Sequence, residues 1–565
     1  MLVATVVLIE MVAVSKLHRR LLTVMMVAMT TILAFAASPE TARAADAGAI
    51  TIGGDVATQY DAYQLFSATV TDKAGSDQKV ATDLAWASDA ARQAVLPVLY
   101  DAEFDSSAST AQEAAEWLNA DGHMSTALAA RLACAICNAG AASVPLNAGT
   151  TAELPCGYWL IVADDDAIAQ GEAGTAPIMA LVGGSAVTVK PKAATPKVSK
   201  HVLEDGTAAW QKAADATVAD DLYWRLSATA PAGLTAYDTY AVRFVDTMSA
   251  GLDPSKVAAS MRVYVAAGAD GGFDAVSAGK DGRAGTEPAK GWTDITAQCK
   301  VSVDGNTFTV RTGDLIAALG GADAFTAGAR VVAVYNAPLN SACNHGIAKG
   351  NPNEAYLRYP RSPFADQSGD AGFTRTPSDD ACAYTWDLAL TKRGSDGDKP
   401  LAGAVLSIAD DRGRTLAADG TWDAEGKATV TTGEDGRVTV SGVDSGKLEV
   451  RELKAPKGYT AFEGTRSVTV KAEGLDVDQV AAAKPKLTIT AESPLRADSA
   501  DGSTGSLEAS LINTPTGTPP SITTGGFMPS TGDMAMYAAA AAAVAGAALI
   551  VVALLVKRGG GSHKE

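Results

Sequence analysis

The chain is expected to be mainly β, a row of β-sandwich domains framed by an apolar segment at each end. Three observations carry that expectation. Short apolar runs recur between Gly, Asp and Asn turns over most of the length. Several runs alternate apolar and polar residues with the period of two that places successive side chains on opposite faces of a strand. Pro- and Thr/Gly-rich breaks at 191–196 and 514–526 divide the runs into three groups. No short-period repeat is evident, although the second and third groups can be read as distant copies of one sandwich.

At the N-terminus, Lys16, His18, Arg19 and Arg20 precede an apolar run from Leu21 to Ala37, and Ala42-Arg43-Ala44 offers small residues for cleavage. Residues 1–44 thus read as a secretory signal, with Met11 an alternative start. A first domain, 45–192, opens on Tyr60 to Phe66, continues through Ala/Leu-rich helical segments between Trp86 and Cys137, and returns to strands at Gly157–Val162 and Ile178–Val182. The second domain, 193–377, has apolar runs at Tyr240–Val245, Val257–Ala266, Val301–Val310 and Ala329–Tyr335. The third, 378–515, has turns at Asp410-Asp411-Arg412-Gly413 and Glu434-Asp435-Gly436. A linker, 516–527, leads to Met528-Pro529-Ser530-Thr531-Gly532, an apolar run over 537–556 and a basic tail, 557–565. About 20 apolar residues suffice to span a bilayer. Lys557, Arg558 and Lys564 place the tail in the cytoplasm and the bulk of the chain outside.

Composition narrows the function. The formal net charge of −18 argues against a nucleic-acid partner and suits a solvated surface protein. Five histidines without a His-x-x-x-His spacing argue against a metal enzyme, and no cofactor is expected. The six cysteines are too few to define the fold. Cys134-Ala135-Ile136-Cys137 lacks a second pair to complete a zinc site, and no histidine-containing constellation supports a secreted enzyme built on it. Export permits disulfides, and Cys299 with Cys343 is one candidate bridge.

Three polar residues of the third domain fall on apolar faces. Lys392 shares one with Tyr384, Trp386, Leu388 and Leu390. Asn513 alternates with Leu507, Ala509 and Leu511, and Glu452 with Leu448 and Val450. A lysine buried alone costs several kcal/mol or loses its charge, and a buried unpaired amide costs roughly 1–3 kcal/mol. Three such groups in one domain are expected to meet, either as an ion pair with a hydrogen-bonded amide or as the reactants of a covalent bond.

Glu449-Val450-Arg451-Glu452-Leu453-Lys454-Ala455-Pro456-Lys457-Gly458-Tyr459 resembles the E-box of Gram-positive pilins, a signature of Cna B-type, Ig-like β-sandwich domains. Leu401-Ala402-Gly403-Ala404 and Ile512-Asn513-Thr514-Pro515 match the same domain type. The resemblance implies an isopeptide bond from Lys392 to Asn513, assisted by Glu452, whose protonated carboxyl would polarise the amide carbonyl. In the second domain Val198, Lys200 and Val202 alternate, as do Val242, Phe244 and Asp246, and Val245 to Leu252 resembles the family's segment with the assisting aspartate. Pro360 and Arg361 stand where the family's asparagine is expected, and Asn353 reads as part of a turn. No Lys–Asn bond is therefore expected there, and Asp246 is expected to pair with Lys200 or Arg361.

Met528 to Gly532, followed by an apolar span and a basic tail, resembles the sorting signal Leu-Pro-x-Thr-Gly with Met for Leu. The resemblance implies sortase attack on the Thr531–Gly532 bond. Val187-Thr188-Val189-Lys190-Pro191-Lys192 resembles the pilin motif, Val-Tyr-Pro-Lys-Asn, with Lys192 as acceptor amine and Lys190 as the runner-up. Together these imply a major pilin polymerised by a class C sortase, Thr531 of one subunit joined to Lys192 of the next. Its partners would be the sortase, other pilin subunits, peptidoglycan and, if the fibre is adhesive, a host receptor. A monomeric wall-anchored adhesin or a pilus-base subunit is the alternative.

Overall fold

The computed structural model describes residues 47–517 apart from 54–58, 121, 169–170, 192–194, 231–236, 268–290, 322–327, 364 and 366. The expected leader, sorting motif and apolar span lie outside the described residues. Among the described residues no helix is long and apolar enough to cross a membrane. The chain is mainly β, as its sequence predicts, and its sheets pack face to face.

In the N-terminal part, Gln59–Asp72 is the long strand of a five-stranded sheet, flanked by Lys79–Trp86 and Gly157–Ala163. Gly157–Ala163 is buried at every residue. Tyr158, Leu160 and Val162 face three helices, while Trp159, Ile161 and Ala163 face a small sheet made by Ala47–Ile52, Thr151–Pro155 and Val187–Val189. Burial on both faces is why this strand reads as an unbroken apolar run. The helices are Asp89–Asp101, Ala111–Asn119 and Thr126–Asn138. Each begins on a hydroxyl that accepts a backbone N–H of the first turn: Ser88, Thr110 and Ser125. Glu113 completes a capping box with Thr110.

The middle sandwich packs two six-strand paths. One runs Ala209–Gln211, Lys197–Glu204, Tyr223–Thr229, Arg330–Asn336, Arg262–Ala266, Thr293–Asp294. The other runs Ala213–Asp215, Asp379–Tyr384, Asn351–Pro360, Arg243–Met248, Thr307–Arg311, Lys300–Asp304. The run Val301–Val310 is a hairpin folded at Gly305, whose φ of 56° suits a residue without a side chain. Val257–Ala266 is not one strand. Asp253 caps the Ser255 N–H and Pro254 opens a turn that continues as a helix over Val257–Ser260 before the strand Arg262–Ala266 begins.

In the C-terminal sandwich, one sheet runs Arg437–Val443, Trp386–Gly394, Ser506–Pro515, Tyr459–Thr460. Gly446–Lys454 lies in the facing sheet, between Val405–Ala409 and Thr465–Glu473. The strand expected to run unbroken from Tyr384 to Lys392 is divided at Thr385. Asp379–Tyr384 pairs with Asn351–Ala355 of the middle sandwich, and Trp386–Gly394 pairs with Ser506–Asn513. One extended segment therefore serves both sandwiches.

Candidate functional site

Two constellations of buried polar groups occupy the two sandwiches. In the C-terminal one, Lys392 and Asn513 stand on adjacent parallel strands, with Lys392 opposite Leu511 and Gly394 opposite Asn513. Glu452 reaches them from the facing sheet. Lys392 is 0% exposed, Asn513 2% and Glu452 6%, so the three sequence-predicted residues do meet. Lys392 Nζ lies 3.5 Å from Glu452 Oε1 and donates to Leu511 O at 3.3 Å. Asn513 Nδ2 donates to the same Glu452 oxygen at 2.9 Å, and Phe462 N–H holds the other at 3.1 Å. Burial pulls the Lys392 ammonium down to about 8 against the opposing pull of Glu452. About a tenth of the amine is then neutral and nucleophilic at pH 7, far more than for an ordinary lysine.

The carboxyl does not stand where the resemblance implied. Glu452 bonds the amide nitrogen, and Asn513 Oδ1 has no hydrogen-bond partner. A half-turn of the amide about its Cβ–Cγ bond exchanges the two positions and would bring the carbonyl onto the carboxyl.

The middle sandwich corrects the sequence reading. Asn353 is not in a turn. It lies on the strand Asn351–Pro360, is 0% exposed, and shares the inward face with Ala355, Leu357 and Tyr359. Pro352 suggested a turn, but it sits on the exposed face of the strand. Asp246 lies on the neighbouring antiparallel strand, where Met248 is opposite Asn353. Lys200 and Tyr335 come from the facing sheet. Lys200 Nζ donates to Asp246 Oδ2 and, at 2.8 Å, to the Tyr335 hydroxyl. Tyr335 donates to Asp246 Oδ2 at 2.9 Å, and Asn353 Nδ2 donates to Tyr335 at 2.8 Å. Arg361 is elsewhere, 3.8 Å from Asp166 of the N-terminal part. Burial lowers the Lys200 ammonium and raises the Asp246 carboxyl, both toward their neutral forms. Trp224 and Tyr335 rings flank the amine at 5.4 and 5.3 Å. The oxygens Asp246 Oδ1 and Asn353 Oδ1 have no hydrogen-bond partner, which repeats the orphaned carbonyl of Asn513.

Sequence reasoning missed Asn353 and Tyr335. The legible signal was the alternation Asn353, Ala355, Leu357, Tyr359, a strand face like that of Asn513. Pro352 makes Asn353 read as part of a turn, and the bond's geometry differs from that of the third domain. There a bond would join neighbouring strands of one sheet, whereas here it would cross between sheets.

Of the implied polymerisation residues, Lys190 is exposed at the end of the strand Val187–Val189. Lys192 and Met528 to Gly532 lie outside the described residues. The candidate bridge Cys299–Cys343 is not formed. Each thiol serves its own loop: Cys299 donates to Ile295 O at 3.3 Å, and Cys343 lies 3.5 Å from His345 Nε2.

Residues 387–484 match the family model described as SpaA: Prealbumin-like fold domain, a stretch that contains the whole E-box-like segment. The chain is 31% identical over 143 residues to the trypsin-resistant surface T6 protein of Streptococcus pyogenes serotype M6. That alignment covers 24% of each chain, so the match spans about a quarter of the length of this relative. Among solved structures, the T6 backbone pilin of the same organism aligns with 83% of this chain and 98% of its own, at 16% identity and a TM-score of 0.45. The full-length major pilin SpaD from Corynebacterium diphtheriae aligns with 85% of this chain and 100% of its own, at 16% identity and a TM-score of 0.40. Residues 387–484 are therefore similar to a prealbumin-like domain of the SpaA type, in a chain that is similar over part of its length to the T6 surface protein.

Proposed function

We propose that this chain is the major subunit of a covalently polymerised cell-surface pilus, a structural protein and a sortase substrate. The observation that carries the reading is the buried Lys392–Glu452–Asn513 constellation, whose lysine and glutamate lie within the stretch that matches the SpaA-type model. Its chemistry is self-contained. The neutral Lys392 amine attacks Asn513 Cγ, ammonia leaves, and Glu452 moves the proton. The product is an amide in place of two buried polar liabilities. Lys200 and Asn353, with Asp246, are set for the same reaction in the middle sandwich.

Assembly follows from the ends. The leader exports the chain, and the C-terminal apolar span holds the precursor in the membrane. A class C sortase then joins Thr531 to Lys192 of the next subunit, and the last subunit is passed to peptidoglycan. Because the acceptor lies in sequence at the junction of the first and second domains and the donor follows the third, the contact is head-to-tail and propagates as a filament. Adhesion to a host receptor is the use such a fibre serves.

The test is the ladder of covalent multimers in a denaturing gel of cell-wall extract. Lys192→Ala is expected to abolish the ladder and leave the monomer anchored, and Thr531→Ala to lose both. A ladder that survives Lys192→Ala but not Lys190→Ala moves the acceptor by two residues. A ladder indifferent to both changes favours the monomeric adhesin.

A further inference from the structure

The two constellations differ in one chemical part. In the C-terminal sandwich the carboxylate of Glu452 approaches both reactants itself, Lys392 Nζ at 3.5 Å and Asn513 Nδ2 at 2.9 Å. In the middle sandwich the carboxylate belongs to an aspartate, one methylene shorter, and it is bonded to Lys200 but not to Asn353. The Tyr335 hydroxyl fills the interval. It lies 2.8 Å from Lys200 Nζ, 2.8 Å from Asn353 Nδ2 and 2.9 Å from Asp246 Oδ2. No tyrosine hydroxyl is bonded to Lys392, Glu452 or Asn513 among the described residues.

We propose that Tyr335 is a catalytic residue of the middle sandwich, its hydroxyl relaying the proton from Lys200 Nζ to the departing Nδ2 of Asn353. The inference rests on the reading of Lys200 and Asn353 as bond partners. In the reaction the Nζ–Cγ bond forms and the Cγ–Nδ2 bond breaks. One proton passes from Nζ to Nδ2, and a primary amine and a primary amide become a secondary amide and ammonia. Nothing is oxidised or reduced and no water is consumed. The hydroxyl is already an acceptor toward both nitrogens and a donor toward Asp246. It can take the proton that Nζ sheds while its own proton turns from Asp246 to Nδ2, as that nitrogen becomes basic in the tetrahedral intermediate. Full burial keeps the phenol protonated and keeps competing water away. The ring is held edge-on by Phe308, with centroids 4.7 Å apart, so the hydroxyl is fixed without help from the reactants.

The experiment follows both cross-links in the full chain after a pulse of synthesis, by quantifying the Lys200–Asn353 and Lys392–Asn513 peptides in a digest. The third-domain link is the internal control. Tyr335→Phe, which keeps the ring, is expected to slow the Lys200–Asn353 link by about 100-fold, within the range of general acid–base effects, and to leave the control unchanged. Adding Asp246→Glu supplies the missing methylene and is expected to restore the link to within about tenfold of wild type, as a tyrosine with only a packing role would not allow. A Tyr335→Phe chain that closes the link at the wild-type rate overturns the proposal. A wild-type chain without the Lys200 peptide overturns the underlying reading instead. Should Tyr335→Phe not fold, uniform 3-fluorotyrosine labelling of the wild type replaces it. The more acidic hydroxyl is then expected to change the middle-domain rate relative to the control, and an unchanged ratio overturns the proposal.

Discussion

Lys200 and Lys392 are both withdrawn from water, and each carries its penalty differently. Lys200 sits in a pair with Asp246 that burial pushes toward its neutral forms, between two aromatic rings. Lys392 has a more distant carboxylate and an amine pulled down to about 8. The sign of its effect on stability follows from linkage. An unfolded lysine titrates near 10.4, so between about 8 and 10.4 the unfolded chain binds more protons and stability rises with pH. Asn513→Ala removes the acceptor and leaves the amine unreacted. For this variant, urea midpoints at fixed pH are expected to climb from pH 7.5 to pH 10, by up to about 3 kcal/mol in the stability of the C-terminal sandwich. The bonded wild type carries an amide that does not titrate and is expected to lack that slope. A flat profile in the variant would mean that Lys392 remains hydrated before reaction.

Strands decide where each bond acts. Lys392 and Asn513 lie on the first and last strands of the sandwich, side by side and parallel. Parallel neighbours have no tight hairpin to hold them, so this is the pairing the unfolded chain finds most costly to close. A bond there closes a loop of more than 100 residues. By analogy with a disulfide over such a loop, Asn513→Ala is expected to cost about 5 kcal/mol at neutral pH, read as a lowered melting temperature. Glu452→Asp tests reach separately. The shortened carboxylate has no tyrosine to bridge the gap, so the third-domain cross-link is expected to slow by about 100-fold while the middle one is unaffected, both measured by digest. Equal rates for Glu452→Asp and wild type would show that contact with Asn513 is not what the glutamate supplies.

At the scale of the molecule, the sandwiches are tied to one another as well as within themselves. Trp386 of the C-terminal sandwich donates to Asp215 of the middle one at 2.7 Å, and Ser445 N–H donates to the same carboxylate oxygen at 2.9 Å. Arg414 meets Asp220 through two nitrogens, at 2.5 and 2.7 Å, and is held from behind by Asp410 at 2.7 Å. At the other joint, Ala173 of the N-terminal part enters the middle core, and Tyr359 donates to Glu172 O at 2.9 Å. A half-buried bidentate arginine is worth more than an exposed ion pair. Arg414→Ala is therefore expected to loosen the middle and C-terminal sandwiches without unfolding either. Small-angle scattering should show a broader distribution of lengths, and both cross-links should still form. An unchanged scattering profile would assign the rigidity to the shared segment through Thr385 alone.

Much of this protein is written locally. Alternating apolar residues, turn glycines and hydroxyl caps belong to single segments, so the sequence by itself determined the β class, the helical insertion after Trp86 and the inward faces of Lys392, Glu452 and Asn513. The E-box-like run made their meeting legible, because a long contiguous motif fixes which strand carries which group. Three things waited for the tertiary structure. Tyr384 and Lys392 share an alternating pattern, yet the chain changes sheets at Thr385, and periodicity does not say which partner a strand will pair with. Asn353 follows a proline that suggests a turn, and only its cross-strand neighbours Met248 and Ala381 place it in a sheet. Tyr335 looks like any core aromatic in the run Ala329–Tyr335. Its role depends on three groups brought to its hydroxyl from three separate strands, those of Lys200, Asp246 and Asn353, and such a convergence is a property of packing rather than of any one stretch of chain.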